Sequence, residues 1–453
     1  MSQISQISQM SKISPTSSMN LSAAFTKTKE IDILRFTTVG SVDDGKSTLI
    51  GRMLYDSKGV FEDQLAAVAK TSSKKGFNGI DFSLLTDGLA AEREQGITID
   101  VAYRYFSTPK RKFIIADTPG HEQYTRNMVT GASTAHMTII LIDARKGILD
   151  QSRRHALISS LLGIPNFIVA VNKMDLVDYS QEVFENIVSD FKNLVSKLSL
   201  DSSRVSFIPI SALNGHNVVY KFPPDEEGKP DEQMKWYTGP SILEVLETVE
   251  VQQEITHKPF RLPVQYVIRV DNNDYKDFRS FAGQIASGSI SVGDELVSFP
   301  SGARSRVKKI SSFDGDLDTA IARQSVSLVL EDEIDTSRGD MLVKPGEEPE
   351  IKKEFKANIC WMSEQSFELN KKYLLKHTSN KVKAMATAID FRLDINSYEK
   401  LSATTLKLND IAQVTFKVLK PLALDAYLDN HITGSFILID EISNNTVAAG
   451  MVI

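Results

Sequence analysis

The chain of 453 residues is too long for one hydrophobic core, and at roughly 150 residues per domain its length predicts about three domains. Its 42% hydrophobic and 24% charged residues are typical of a soluble globular protein, and its net charge of −6 argues against a broad nucleic-acid-binding surface. The single cysteine, Cys360, excludes an intrachain disulfide and predicts a small buried side chain. The longest apolar run, residues 137–144, is far too short to cross a bilayer, so no membrane span is expected.

The N-terminal segment repeats Ser-Gln-Ile and is rich in serine, and we assign residues 1–30 to a flexible tail. A docking segment is the less favoured alternative. A secretory signal needs a basic start and a continuous apolar core, and neither is present. We therefore expect a cytoplasmic location.

Strand and helix patterns alternate over residues 31–252, which predicts an α/β domain with a mostly parallel sheet. Strands are predicted at residues 32–40, 101–106, 112–117, 137–143, 166–171 and 205–210. Helices are predicted at residues 47–55, 181–198 and 241–249, and the second of these carries a continuous apolar stripe.

Short alternating strands separated by glycine-containing turns begin at about residue 253. A proline- and acid-containing stretch at residues 345–349 indicates a second linker. The sequence therefore predicts two small β-barrels, at residues 253–347 and 350–453.

A G-x-x-x-x-G-K-[ST] sequence lies between the first predicted strand and the first predicted helix, which is the context of a phosphate-binding loop. Its glycines allow successive N–H groups to turn inward, and the helix start adds N–H groups and a positive dipole end. We expect the lysine to reach the β- and γ-phosphates and the serine to ligate Mg²⁺. The loop consists of Gly40, Ser41, Val42, Asp43, Asp44, Gly45, Lys46 and Ser47.

A second candidate site segment, the turn Asp117-Thr118-Pro119-Gly120, follows an apolar predicted strand. Asp117 is therefore expected at the strand's carboxyl end, where its carboxylate can hold the Mg²⁺ shell. Gly120 can offer its N–H to the γ-phosphate, so the turn would sense that group.

Two further residues are assigned by their positions relative to these motifs. His121 follows the turn and is the candidate catalytic residue that orients or polarises the attacking water, although a lone histidine is more often structural. Thr98 lies between the loop and the turn, where a switch segment belongs, and is a candidate ligand of Mg²⁺ and the γ-phosphate. Taken alone, Thr98 would be a strand-edge threonine.

Two short segments, which follow the strands predicted at residues 166–171 and 205–210, are the candidates for recognising the nucleotide base. Asp175 can accept from the N1–H and the exocyclic amine of guanine, a donor pair that adenine lacks, and such discrimination can reach about 10⁴-fold. A lysine before it would pack over the base, and the second segment would present a backbone N–H to the guanine O6. GTP with Mg²⁺ is thus the expected ligand. The segments are Asn172, Lys173, Met174 and Asp175, and then Ser211, Ala212 and Leu213.

In this order the motifs resemble those of the translational GTPase superfamily, and more narrowly the branch of elongation factor Tu and its eukaryotic counterpart. The resemblance runs from Asp32 over nearly the whole chain and implies a P-loop GTPase domain followed by two β-barrels. The elongation factors usually carry histidines where this chain has Ser41 and Asp44.

Within this superfamily, the phosphate loop and residues 87–106 and 117–128 closely resemble the GTPase subunit of bacterial sulfate adenylyltransferase. In that family a heteromeric complex makes adenosine 5′-phosphosulfate and pyrophosphate from ATP and sulfate, and GTP hydrolysis helps drive this first step of sulfate activation. The resemblance implies a small catalytic partner subunit at which ATP and sulfate act. The sequence agrees, because it has no H-x-x-H or H-x-G-H element for nucleotidyl transfer.

Two other interpretations remain open from the sequence. A carrier of aminoacyl-tRNA would have the same architecture, but it leaves the replaced loop histidines unexplained. A GTPase without an enzymatic partner is the third interpretation.

Overall fold

The computed structural model of the protein describes residues 32–60, 62–74, 80–86, 98, 100–198, 200–223, 229–250, 254–270 and 278–453. The predicted tail, and residues 87–97 and 99 of the segment 87–106 that carries part of the family resemblance, lie outside these ranges.

A six-stranded sheet forms the first part of the molecule, with the order β2-β3-β1-β4-β5-β6. Only the β2–β3 pair is antiparallel, which confirms the predicted mostly parallel sheet. The carboxyl ends of the parallel strands share one edge, so the segments that follow them meet there. The strands are β1 (Ile33–Val39), β2 (Ala102–Ser107), β3 (Lys112–Asp117), β4 (Met137–Asp143), β5 (Asn166–Asn172) and β6 (Val205–Pro209).

Helices cover both faces of this sheet. Ile139 and Leu141 of β4 belong to one core cluster, whereas Ile140 and Ile142 belong to another on the opposite face. The helices are α1 (Lys46–Asp56), α2 (Glu62–Lys74), α3 (Thr125–Ala132), α4 (Asp150–Leu161), α5 (Gln181–Val195) and α6 (Ile242–Thr248). Short 3-10 helices lie at Phe82–Leu85, Glu122–Tyr124, Met174–Val177, Ser202–Arg204 and Glu254–Thr256.

The local signals explain which helices were predicted. The apolar stripe of α5 begins after Ser180, whose side chain accepts from the N–H of Val183, and Ser241 forms a capping box at the start of α6. By contrast, α4 buries polar residues such as Arg154 and His155 along with apolar ones, so its sequence shows no clear stripe.

The first antiparallel unit follows the order β7-β16-β11-β12-β15-β9-β8, with β13 paired to β12, and β10 pairs separately with β14. Its apolar core includes Phe260, Phe281 and Leu328. The strands are β7 (Leu262–Pro263), β8 (Tyr266–Val270), β9 (Phe278–Gln284), β10 (Ser289–Ser291), β11 (Glu295–Phe299), β12 (Ala303–Ser312), β13 (Gly315–Leu317), β14 (Thr319–Ile321), β15 (Ser325–Leu330) and β16 (Met341–Val343).

The second antiparallel unit closes into a six-stranded barrel, because β18 pairs with β19 at the ends of the path β18-β22-β23-β17-β21-β19. Buried aromatic residues such as Trp361, Tyr373 and Phe416 fill it. The strands are β17 (Glu350–Trp361), β18 (Lys372–His377), β19 (Asn380–Leu393), β20 (Lys400–Leu401), β21 (Ile411–Leu424), β22 (Ser435–Ile439) and β23 (Thr446–Val452).

The barrel packs against the α/β domain through its outer surface. Cys360 is buried in the core cluster of the α/β domain, and burial raises the pKa of its thiol to about 12. The Tyr427 hydroxyl donates to the carbonyl of Leu162 at 3.1 Å. Between the two β units, the Arg261 guanidinium makes a bidentate contact with the Asp425 carboxylate, at 2.8 and 2.9 Å.

None of the helices in the described part of the chain has both the length and the apolar character that crossing a bilayer requires.

Candidate nucleotide site

The phosphate loop connects β1 to α1 at the carboxyl edge of the sheet. Gly45 has a φ of 93°, in the left-handed region that favours glycine, and α1 begins directly after it. Lys46 is buried, and its Nζ donates to the carbonyls of Gly40 at 3.1 Å and Ser41 at 2.8 Å. Burial lowers the pKa of Lys46, and the nearby carboxylates of Asp44 and Asp117 oppose that shift. The lysine therefore lies in the concave centre of the loop.

The Asp44 side chain is part of the loop's internal hydrogen bonding. Its Oδ2 accepts from the N–H of Ser41 at 2.7 Å, and its side chain is almost completely buried. Burial raises the pKa of this carboxyl, while the Ser41 N–H lowers it. The Asp44 side chain thus fixes the backbone at the start of the loop.

The turn after β3 lies against the phosphate loop. A Cβ added to Gly120 would lie 2.4 Å from Lys46 Nζ and 2.6 Å from the carbonyl oxygen of Gly40, so a side chain here would fill the space between turn and loop. Thr118 anchors the turn by donating from Oγ1 to the carbonyl of Thr38 at 2.7 Å. Asp117 and Pro119 are buried at its base.

A cavity of about 310 Å³ lies between these two segments. Thr98 and His121 both line this cavity, although they lie far from the phosphate loop in sequence. The His121 ring accepts at Nδ1 from the N–H of Gln123 at 3.3 Å. The lining residues are Val42, Asp43, Gly45, Lys46, Ser47, Thr48, Ser83, Thr98, Gly120, His121 and Lys173.

The base-side segments meet beside the loop because β5 and β6 are neighbours. Asn172 donates from Nδ2 to the carbonyl of Asp44 at 2.8 Å and accepts from the N–H of Ala212 at 3.0 Å. Ser211 Oγ donates to Asp175 Oδ1 at 2.6 Å. Asn172 therefore connects the phosphate side to the base side, and Ser211 orients the carboxylate that is expected to read guanine.

For three of the predicted site residues, the structure shows burial, an internal hydrogen bond or exposure. The Met174 side chain is completely buried in the hydrophobic core, so it is not available to a ligand. Ala212 directs its N–H to Asn172 in this structure, as described above. The Leu213 side chain is 44% exposed.

Asp143 is a site residue that the sequence reasoning missed. It lies at the carboxyl end of β4, completely buried, and accepts from Arg145 at 2.6 and 3.0 Å and from Lys173 Nζ at 3.1 Å. Burial by itself raises its pKa, but the hydrogen bonds from Arg145 and Lys173 outweigh this and hold the pKa well below its usual range. An aspartate ending a buried strand at this edge of the sheet was the signal that could have identified it.

Lys173 is held from two sides. Its Nζ donates to the carbonyl of Asp43 as well as contacting Asp143, and its backbone has a φ of 63°. Ser83 was also missed; it lines the cavity from the short helix Phe82–Leu85, which has no helical periodicity to predict it.

The fold and this site define the class of protein. Residues 31–255 match the elongation factor Tu GTP-binding domain, and residues 354–453 match the GTP-eEF1A C-terminal domain-like family. The chain is thus an elongation factor Tu-like GTP-binding protein.

Full-length relatives identify the particular family. The chain is 51% identical over 439 residues to sulfate adenylyltransferase subunit 1 of Aeromonas hydrophila, covering 96% of this chain and 89% of that protein. It is 52% identical to the subunits 1 of Saccharophagus degradans and Bacteroides fragilis, again over 96% of this chain and 89% of each relative. The chain belongs to the sulfate adenylyltransferase subunit 1 family.

Proposed function

We propose that the chain is the GTP-hydrolysing subunit of a sulfate adenylyltransferase. The observation that carries this proposal is the meeting of the phosphate loop, the Gly120–His121 turn and the Asn172–Asp175 segment at one sheet edge, in a chain that belongs to this family. GTP hydrolysis here supplies free energy to the formation of adenosine 5′-phosphosulfate and pyrophosphate from ATP and sulfate.

The phosphate side binds GTP mainly through the backbone. The loop N–H groups and the N-terminus of α1 surround the phosphates, and Lys46 neutralises charge on the β- and γ-phosphates. Gly120 presents its N–H to the γ-phosphate. The space that a side chain at this position would fill supports this role.

Mg²⁺ fits the oxygen-bearing side chains on this side. Ser47 and Thr98 bring hydroxyl groups to the cavity, and Asp117 brings a buried carboxylate close enough to Lys46 to influence its pKa. When bound, Mg²⁺ neutralises negative charge on the β- and γ-phosphate oxygens.

The base side selects guanine. Asp175 accepts from the N1–H and the exocyclic amine, the loop 211–213 contributes a backbone N–H to O6, and the Lys173 stem packs over the ring. The buried Asp143 supports this last role, because it fixes the lysine ammonium.

His121 orients the water that attacks the γ-phosphorus. A bond forms between the water oxygen and phosphorus, the bond to the β-phosphate oxygen breaks, and GDP and inorganic phosphate result. Because Nδ1 accepts from the Gln123 N–H, the neutral ring carries its proton on Nε2. His121 is therefore suited to polarising and positioning the water rather than removing its proton.

The chemistry of sulfate takes place on a second chain in this proposal. The relatives are named as subunit 1, which implies at least one other subunit. A small catalytic partner binds ATP and sulfate, and a sulfate oxygen attacks the α-phosphorus with loss of pyrophosphate.

The proposal is tested by co-expressing the chain with a candidate small catalytic subunit and measuring GTP hydrolysis with and without ATP plus sulfate. We expect ATP and sulfate together to accelerate hydrolysis, whereas omission of sulfate, the matched control, abolishes the acceleration. Hydrolysis that ignored both substrates and responded to aminoacyl-tRNA would favour the carrier function instead.

A further inference from the structure

Arg52 of α1 reaches from the helix that begins at the phosphate loop to the loop that follows β6. Its Nε donates to the carbonyl of Ala212 at 3.3 Å, and its Nη2 donates to the carbonyl of Leu213. Its Nη1 lies 3.5 Å from Asp56 Oδ1, one helical turn further along α1. Two successive carbonyls of the loop therefore accept from a single guanidinium.

These contacts set the direction of the peptide groups in the loop. The C=O and N–H of a trans peptide point in opposite directions, so carbonyls that face the guanidinium turn the N–H groups of Leu213 and Asn214 away from it. The Asn214 N–H accordingly donates to Ser211 Oγ at 3.2 Å, and that hydroxyl donates to Asp175 Oδ1 at 2.6 Å.

One face of the guanidinium packs against an aromatic ring. Arg52 Cζ lies 4.2 Å from the centroid of the Phe82 ring, a cation–π contact, and the Arg52 side chain is only 14% exposed. The close approach depends on Gly51, because a Cβ there would lie 2.1 Å from the carbonyl oxygen of Phe82. The guanidinium is therefore fixed in one orientation before any ligand binds.

We propose that Arg52 is a positioning residue for guanine recognition. It fixes the peptide orientation of residues 211–214, and in doing so it holds the loop N–H groups and the Ser211–Asp175 pair in the arrangement that selects guanine. The inference rests on the proposed function, since it concerns how the same site reads its base. A lysine cannot replace the arginine fully, because a point donor lacks the planar fork that serves both carbonyls.

The test compares GTP with 2-aminopurine riboside triphosphate, which keeps the exocyclic amine but lacks both the 6-oxygen and the N1–H. Both are used as competitors of a fluorescent GDP analogue on the full-length chain. We expect Arg52→Gln to reduce the preference for GTP roughly tenfold, and Arg52→Lys to reduce it less. Arg204→Gln is the matched control, because within the described residues Arg204 forms an ion pair with Asp201 at the surface of the same domain, and it should leave the preference unchanged.

The outcomes separate this inference from the proposed function. A wild-type chain without preference for GTP contradicts the proposed function itself. If the wild type prefers GTP and Arg52→Gln weakens both competitors equally, Arg52 is merely structural and the inference is overturned. If thermal unfolding shows that Arg52→Gln does not fold, Arg52→Lys decides: an unchanged preference overturns the inference, and a reduced one supports it.

Discussion

The two halves of the nucleotide site are built in different ways. The phosphate side comes mostly from one continuous segment, in which Lys46 and Asp44 contact backbone groups within six residues of themselves. The base side comes from segments that follow β4, β5 and β6, and its contacts are made by side chains such as Asn172, Ser211 and Asp143. The difference indicates that phosphate binding depends on local backbone geometry, whereas base selection depends on how the strands are assembled.

The largest expected effect is a change in base preference, which concerns the base side of the site and not the phosphate side. Asp175→Asn removes the acceptor for the two guanine donors and should move preference from GTP toward xanthosine triphosphate, with a change in relative affinity of up to about 10⁴-fold. Competition of both nucleotides against labelled GDP measures it. Asp178→Asn, an exposed carboxylate three residues away, is the control. Unchanged competition by GTP would contradict the assignment of Asp175.

Lys46→Ala should affect the phosphate side alone. Loss of a buried ammonium from the phosphates is expected to weaken the binding of GTP by roughly 10²-fold or more and to reduce hydrolysis, without changing the preference among bases. Titration calorimetry with GTP and with xanthosine triphosphate measures both quantities. The exposed Lys70→Ala serves as control. A changed base preference would show that the two halves are not independent, and wild-type turnover would refute the loop assignment.

His121→Ala tests whether hydrolysis can be lost on the phosphate side while nucleotide binding is kept. We expect single-turnover hydrolysis to fall by roughly 10²-fold, with the affinity for a non-hydrolysable GTP analogue retained. Equal losses of binding and hydrolysis would mean that the substitution damages the cavity.

Asp143→Asn tests how much the contacts of Asp143 with Lys173 and Arg145 stabilise the base side. It has the smallest expected effect of these substitutions. We expect a loss of about 1–3 kcal/mol in the free energy of unfolding near pH 7, measured by urea titration, because Lys173 and Arg145 lose a charged acceptor. The exposed Asp190→Asn is the control.

The pH dependence of that loss follows from the lowered pKa of Asp143 in the folded state. A carboxyl with a lowered folded-state pKa stabilises the protein above its ordinary pKa of about 3.9, and this contribution is lost as the pH falls toward the folded value. The difference between wild type and variant should therefore be constant from about pH 5 to 8 and shrink below about pH 4. A difference that grew on acidification would contradict this account.

By itself the sequence determined the mostly parallel sheet, the order of the motifs and the position of each motif at a strand end. These features depend on local patterns: the apolar runs of β4 and β5, the capped stripe of α5, and a loop whose glycines and lysine are contiguous. The same locality explains why the phosphate side was easier to predict than the support of the base side.

The tertiary structure alone decided which side chains support those motifs. Asp143 reaches Lys173, and Arg52 reaches a loop 160 residues later in the chain, through contacts between separate elements. It also shows which strands close the predicted second barrel, because the pairing of β18 with β19 joins the two ends of the sheet. Such contacts depend on how the strands and helices pack. The periodicity of a sequence segment does not indicate which distant residue its side chains will contact.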